Sequence, residues 1–458
     1  MAATALPGIV WPPVPTGADA TALALAWQLA QSQWWPAARL AAGQRRQLAT
    51  LARHAAASTP FYRARLAGLT SDADGVDEAA WAAVPIATRD ELIAAGDDLK
   101  SRAYPAAHGQ PHAVLTSRTT GAPVRLLATD LMAAWWRAIT LRDHAWHRRD
   151  LDAHLAAIRF VADGAAPPDG LRARGWGPAT AAIAPDAPMS LLSIAATIDQ
   201  QVEWLVRTDP TYLLIYPTAL DAVVHALAAR GARLPALRQV RTISEALTPA
   251  TRAACAEVLG VPVVDTYSAE EVGYVALECP DHPGGAADPR YHVMAERLRV
   301  EILDDAGRPC PPGATGRVVV TDLHNLATPV IRYDLGDLAT VGPPCPCGRG
   351  LPVLTRIAGR RRGLLRYPDG RVAWPVFTIA CRQAARYREL QLIQDDVDRL
   401  RLRVVADQPL TAADHAALTA ALHRALGHPF AVTIEAVADL GRGPGGKLEE
   451  FVSHVAAP

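Results

Sequence analysis

The 458-residue chain is half apolar and one-fifth charged, and its 46 basic and 46 acidic residues give a formal net charge of zero. That length predicts two or three domains, and that composition a globular enzyme. The charge balance removes any electrostatic case for nucleic acid or an anionic membrane. No apolar run approaches the ~20 residues that span a bilayer, and Met1 to Val10 has no basic, signal-like region, so a cytoplasmic protein with reduced thiols is expected.

From Ala20 to Ala57 the apolar spacing predicts two helices around Pro36. Thr59-Pro60 ends the second, and Thr88 with Glu91 three residues on predicts a capping box at the next helix start. Val114 to Val124 then reads as the end of a buried strand, a turn carrying Ser117, Thr119, Thr120 and Gly121, and a second apolar run. Short hydroxyls and free amides in a tight turn suit a polyphosphate, although the same residues also make an ordinary Ser/Thr-rich turn. A helix from Asp130 to about Trp146 follows. Its aromatic residues, Trp135 and Trp136 among them, read as core packing or as a wall of a substrate pocket.

His154 to Asp163 is expected to be a strand, and the Pro/Gly/Ala-rich stretch from Gly164 to Pro188 a loop. Strands at Tyr212–Tyr216, Gln239–Ile243 and Val261–Thr266 alternate with helices at Ile198–Val206, Leu220–Arg230 and Pro249–Leu259. This alternation predicts a largely parallel sheet covered on both faces, with ligands at the carboxyl ends of its strands. The Ser/Thr turn, Tyr216, Ser244-Glu245 and Tyr267 are all expected at such ends. After Tyr291 the pattern turns to antiparallel β, with strands at Arg297–Leu303, Gly316–Asp322 and Pro329–Tyr333. The last hundred residues have a β-α-β pattern of their own and close on Gly441-Arg-Gly-Pro-Gly-Gly-Lys447. The chain holds only two lysines, Lys100 and Lys447, among its 46 basic residues. A lysine in a glycine-rich loop therefore invites a chemical reason, since a compact ammonium does what a planar guanidinium cannot.

Taken together these motifs resemble the adenylate-forming superfamily, and within it the phenylacetate–CoA ligase and coenzyme F390 synthetase branch. Thr116 to Pro123 is similar to that family's phosphate loop, and Tyr267 to Gly273 to its Tyr-Gly-x-Thr-Glu-Val-Gly. Pro329 to Asp337 is similar to the ribose-binding stretch, Arg356 to Arg360 to the hinge, and Gly446-Lys447 to the adenylation lysine. The resemblance implies an α/β fold: a large ATP- and acid-binding domain over 1–358 and a small mobile α+β domain over 359–458. It implies ATP and Mg²⁺, with Glu271 on the metal and Tyr267 on adenine. Asp337 and Arg360 would meet the nucleotide, with Ser244 and Glu245 at the adenine side. Lys447 would bridge carboxylate and α-phosphate.

The sequence departs from the pattern in places. Arg118 stands where the loop has glycine, Ala122 where lysine is common, Glu270 where a hydroxyl residue is expected, and Arg362-Gly363 where the hinge has acids. Two like charges at ~4 Å repel by ~1–4 kcal/mol, so Glu270 beside phosphate calls for a cation. Arg118 is expected to pair with it in the resting enzyme and to join the catalytic set with Lys447 and Glu271.

Of the six cysteines, Cys255, Cys310 and Cys381 read as packing residues. Cys345-Pro-Cys347 and Cys279-Pro-Asp-His282 supply three thiolates and an imidazole for a structural Zn²⁺ site, with His292 as the substitute for His282. The expected reaction is ATP-dependent acyl-AMP formation followed by transfer to a thiol, CoA, with Trp135, Trp136 and Tyr216 facing an aryl acid. Alternatives are an amide synthetase using an amine or other nucleophile, and a drifted nucleotide-binding protein. The partners are thus a small carboxylic acid and CoA or another nucleophile; a homodimer is compatible with this reading.

Overall fold

Proline, threonine and glycine set most helix boundaries. Pro36 precedes the helix Ala37–Ser58 and separates it from Gly17–Ser32. Thr88 accepts from the Glu91 amide at 3.3 Å while Glu91 accepts from the Thr88 amide at 2.7 Å, so the expected capping box starts the helix Arg89–Ala95. Capping boxes at Thr197 and Thr411 start Ile198–Thr208 and Ala412–Leu426, and Gly231, Gly260 and Gly427 end helices in the left-handed region where a Cβ is penalised.

The computed structural model describes the chain except residues 1–5, 10–13, 73–74, 116–123, 162–165, 167, 361–364, 374, 376, 407, 442–447 and 456–458, and the side chains of Arg360, Ile379 and Arg382. The chain forms two compact units. One comprises Met1–His154, Arg172–Met189 and Asp265–Ile357; the other comprises Leu155–Leu171, Ser190–Val264 and Ala358–Pro458.

In the first unit the helix Asp130–Trp146 lies against Gly17–Ser32, tied by Arg137 to Asp19 at 2.7 Å. The strands run in the order Leu298–Leu303, Thr315–Asp322, Tyr333–Val341, Val353–Arg360, Tyr291–Val293, Gly273–Glu278 and Val263–Ala269. The helices and this sheet share one core that includes Leu48, Leu51, Tyr62, Trp81, Ile139, Val320 and Tyr333. A separate antiparallel hairpin pairs Pro111–Leu115 with Arg125–Thr129, with Leu115 opposite Arg125.

In the second unit Leu155–Arg159, Tyr212–Ile215 and Gln239–Ile243 pair in parallel, as the alternating pattern predicts. Helices Ile198–Thr208 and Pro217–Arg230 bury Leu205, Leu220 and Val224 against them. The last hundred residues contribute a four-stranded sheet ordered Ala431–Ala436, Arg399–Val405, Glu389–Asp396 and Phe451–Ser453, with its own core around Leu392, Leu402, Leu418 and Phe430.

Three expectations are corrected. The strand before the Ser/Thr turn is not buried: Leu115 is 58% exposed, because this hairpin has only two strands and does not join the parallel sheet. The stretch expected to be loop contains a short strand, Leu171–Arg174, whose four residues are all exposed and so carry no burial period. Pro329 to Arg332 is not a strand; the strand starts at Tyr333 and runs to Val341. Arg332 has φ +44°, and its buried guanidinium donates to the carbonyls of Ala82 (2.7 Å) and Val84 (2.6 Å), which turns the chain out of extended geometry. No described helix is long and apolar enough to cross a membrane.

Candidate functional site

Two strands of the first unit, Val263–Ala269 and Tyr333–Val341, the turn after the former and a helix start gather the ionisable groups that the nucleotide reading needs. Tyr267 lies on Val263–Ala269 at a bulge, where the register with Gly273–Glu278 shifts between Tyr267 and Ser268. Its hydroxyl donates to Asp337 Oδ2 at 2.8 Å. Asp337 follows Gly336, whose φ of +76° belongs to the left-handed region and whose amide donates to Asp334 at 2.8 Å. The residues expected at adenine and ribose are therefore hydrogen-bonded to each other across 70 positions of sequence.

Glu271 is held by a cation that sequence reasoning missed. Arg89 Nη1 lies 3.1 Å from Glu271 Oε1, with side chains only 10% and 8% exposed, and the Tyr333 hydroxyl donates to the same oxygen at 3.4 Å. Arg89 was legible only as part of a capping sequence, and no local spacing points to a partner 182 residues away. Both described contacts use Oε1.

In the second unit Ser244 sits at φ +74°, a strained turn just beyond the strand Gln239–Ile243. The turn aims Glu245 at the start of the helix Pro217–Arg230. There Glu245 Oε2 accepts from the Thr218 amide (3.0 Å) and hydroxyl (2.8 Å), while Oε1 accepts from the Leu448 amide at 3.0 Å. Tyr216 precedes that helix and is 6% exposed; its hydroxyl accepts from the Phe160 amide at 3.3 Å.

The aromatic residues expected at the acid divide by exposure. Trp135 is buried and stacks on His324, centroids 4.7 Å apart. Trp136 is 40% exposed and stacks on Tyr274 at 6.1 Å, while Tyr274 accepts from Thr140 at 3.0 Å. Ser117, Arg118, Thr119, Thr120, Gly121, Arg362 and Lys447 lie outside the described residues, as does the Arg360 side chain; Glu270 is exposed.

A metal-ligating set forms where strand ends meet. Donor atoms of Cys279, His292, Cys345 and Cys347 lie within 4.8 Å of one another. Cys345 Sγ is 3.9 Å from Cys279 Sγ, and Cys347 Sγ is 3.3 Å from His292 Nε2. Tetrahedral Zn²⁺ with ~2.3 Å Zn–S bonds has edges of about 3.8 Å, so the donor set fits. The imidazole in this set is His292. His282 instead turns Nε2 to Asp288 at 3.2 Å, with its largely buried ring at the edge of the set and Nδ1 3.9 Å from Cys345 Sγ, whereas the strand Tyr291–Val293 carries His292 into it.

The electrostatics around this set are uneven. Burial pushes the Cys279 thiol well above its ordinary range and also raises Cys345. Burial opposes ionisation of Cys347 too, but hydrogen bonds from the Arg349 amide and guanidinium bring it below the usual thiol value. Burial, and then the Arg349 charge, lower His292 to about 4, which keeps its ring neutral and able to ligate. Arg349 is itself clamped between Trp34 (4.8 Å) and Trp146 (4.6 Å) and paired with Asp281 at 2.8 Å.

Residues 182–326 match the family described as AMP-binding enzyme, and residues 372–454 match the CapK C-terminal domain. A phenylacetate-coenzyme A ligase of Thermus thermophilus is 32% identical over 126 residues, covering 27% of each chain. One from Aromatoleum evansii is 28% identical over 172 residues, covering 36% of this chain and 38% of that ligase. The chain thus aligns with well under half the length of either curated relative. Among solved structures, a 2-hydroxyisobutyryl-CoA ligase in the postadenylation state superposes with a TM-score of 0.66 at 19% identity, covering 93% of this chain and 91% of that one. An anthranilate CoA ligase bound to anthranoyl-AMP gives 0.55 at 19%, covering 73% and 64%. The structural likenesses speak for the fold, and the sequence matches make part of the chain similar to AMP-binding enzymes and to phenylacetate-coenzyme A ligases.

Proposed function

We propose that this protein activates a carboxylic acid with ATP and passes the acyl group to CoA, with an aryl acid as substrate. In the first step a carboxylate oxygen attacks the α-phosphorus, the bond to pyrophosphate breaks, and acyl-AMP forms. In the second the thiol sulfur attacks the acyl carbonyl, the bond to AMP breaks, AMP leaves, and the thiol proton passes to solvent. The first step joins two anions, so its barrier is mainly positional and electrostatic.

The residues divide that work. Asp337, ionised and acceptor-only, suits a pair of ribose hydroxyls, and Tyr267 holds it in place while offering its ring to adenine. Glu271 would hold Mg²⁺, which when bound neutralises the leaving pyrophosphate. Lys447, on a small domain spanning 359–458, brings a mobile positive charge to the reacting carboxylate and α-phosphate. The phosphate turn, including Ser117, Thr119, Thr120 and Gly121, receives the polyphosphate, with Arg118 answering the charge of Glu270. Cys279, His292, Cys345 and Cys347 hold a structural Zn²⁺ that takes no part in the chemistry. Trp136 is the half-exposed aromatic face suited to an aryl ring; Trp135 and Tyr216 brace the core behind their helices.

The observation that carries the reading is the Tyr267–Asp337 hydrogen bond, with Tyr267 and Glu271 inside the stretch matched to AMP-binding enzymes. The test is acid-dependent ATP–pyrophosphate exchange with phenylacetate, benzoate, anthranilate and 2-hydroxyisobutyrate, followed by product analysis with and without CoA. Exchange with an aryl acid and CoA-dependent AMP release are expected. An amide formed with an added amine and no thioester would move the acceptor to an amine, and silence with every acid would overturn the reading.

A further inference from the structure

The bend between the first two helices is gripped by the cysteine knuckle, a contact that the proposed chemistry does not use. The chain passes from Gly17–Ser32 to Ala37–Ser58 through four residues, Gln33 to Pro36. Gln33 is buried, and its Oε1 accepts from Trp146 Nε1 at 2.7 Å and from Arg349 Nε at 3.1 Å. Its backbone carbonyl accepts from the Gly350 amide at 2.9 Å. Only glycine fits at 350, because a Cβ there would lie 1.8 Å from the Trp35 carbonyl oxygen. The two residues that leave the knuckle therefore hold one glutamine by both its side chain and its backbone.

Arg349 joins this bend to the metal-ligating set. Its buried guanidinium lies against the indoles of Trp34 and Trp146, 4.8 and 4.6 Å from their centroids. Nη2 donates to Asp281 at 2.8 Å, and Nη1 donates to Cys279 Sγ at 3.8 Å. Trp146, the last residue of Asp130–Trp146, also meets His292 edge-on with centroids 5.6 Å apart. Arg349 and Trp146 thus each touch both the bend and a member of the set. A flat guanidinium packs on indole faces while its fork reaches three acceptors, which a lysine ammonium cannot do. Thiols are weak hydrogen-bonding groups, so bonds to a shared ion are what would make the knuckle rigid. Partners of metal ligands orient those ligands, and a fixed ligand in turn fixes its partner.

We propose that Arg349 is a latch through which metal loading of Cys279, His292, Cys345 and Cys347 closes the bend between the first two helices. With Zn²⁺ bound, the knuckle holds Arg349 against Trp34, Trp146 and Gln33. Without the ion, the stretch from Gln33 to Trp35 opens locally while the apolar core around Leu48 and Leu51 keeps the helices folded. The proposal rests on the metal reading above and is independent of the ligase chemistry.

The test uses the full chain, with Zn²⁺ in slight excess and after its removal by a chelator, beside Arg349→Met and Arg349→Lys. Hydrogen–deuterium exchange of peptides covering Leu29 to Arg39 is the readout, with the helix Arg89–Ala95 as internal reference. Zinc removal from wild type should quicken exchange at the bend about tenfold and leave the reference within about twofold. Adding Zn²⁺ back should restore the slow exchange. Arg349→Met should still bind one Zn²⁺ per chain, yet exchange at the bend as fast as metal-free wild type and no longer respond to the ion. Arg349→Lys should behave as Arg349→Met does, since charge without the plane does not close the latch. Equal exchange at the bend with and without Zn²⁺ in wild type overturns the latch. So does an Arg349→Met bend that still slows when Zn²⁺ is added, or an acceleration that includes Arg89–Ala95 to the same degree. A wild-type protein that takes up no Zn²⁺ overturns the metal reading, and the latch with it.

Discussion

Arg89 and Glu271 face each other at 3.1 Å with little access to water. A nearly buried carboxylate left without its cation is costly, whereas replacing both partners by neutral groups of similar shape is often tolerated. Arg89→Met should therefore destabilise the protein by about 3–5 kcal/mol, and Arg89→Met with Glu271→Gln should recover more than half of that loss. Denaturant midpoints of the two single variants and the double variant measure it; additive losses would mean that the two side chains act independently. For function, the pair implies that a divalent cation at Glu271 competes with, or sits beside, a guanidinium already in place. At this scale the sequence was legible in part. Motif resemblance singled out Tyr267, Glu271 and Asp337, of which the structure joins Tyr267 to Asp337, and the capping box at Thr88 followed from spacing alone. The Arg89 contact did not follow, because nothing in a helix-start sequence encodes a partner on a distant strand.

Among the elements, the knuckle Cys345-Pro-Cys347 and the strand Tyr291–Val293 show how strand geometry chooses a ligand. Cysteine spacing pointed to three of the four clustered side chains but could not choose between His282 and His292. The choice follows from strand pairing: His292 lies opposite both Leu277 and Val353 in the sheet, and its side chain is completely buried. Metal analysis of the purified protein should find one Zn²⁺ per chain. His292→Ala and Cys345→Ser should lose it and unfold several degrees earlier, while His282→Ala should keep it. Retention by His292→Ala together with loss by His282→Ala would reverse the assignment. The displaced strand after Pro329 has a comparable cause. The apolar run Pro-Val-Ile was readable, but the turn imposed by Arg332 depends on carbonyls some 250 positions earlier and leaves no local trace.

For the molecule as a whole, acid stability follows from buried imidazoles. His324 is pushed down to about 4, first by burial and then by the Arg297 charge, against an opposing pull from Asp322. Its folded value lies below the ordinary 6.5, so between about 4 and 6.5 the unfolded chain binds a proton that the folded chain rejects. Stability should therefore fall as pH drops through that window. His324→Gln should shrink the difference in thermal midpoint between pH 7.5 and pH 5. An undiminished difference would place the acid sensitivity elsewhere. The alternation of strands and helices was legible at this scale because burial on both faces writes continuous apolar runs, as in Tyr212–Ile215. The division of the chain was less so: residues 155–171 and 190–264 group with the C-terminal hundred, a matter of long-range packing that no linker sequence announces.

Arg332 bears on how the chain acquires this structure. Its left-handed backbone is unfavourable for a residue with a Cβ by about 1–3 kcal/mol, and the carbonyls of Ala82 and Val84 that offset this are contributed by the end of the helix Glu78–Ala83. The Thr321 hydroxyl accepts from the Arg332 amide at 2.9 Å and Glu301 pairs with its guanidinium at 3.2 Å, but the carbonyls of Ala82 and Val84 reach it only once a loop of some 250 residues has closed. Such distant closures are slow relative to helix formation. The bend before the strand that carries Asp337 is thus completed late in folding, and refolding followed through nucleotide binding should lag refolding followed through helix content.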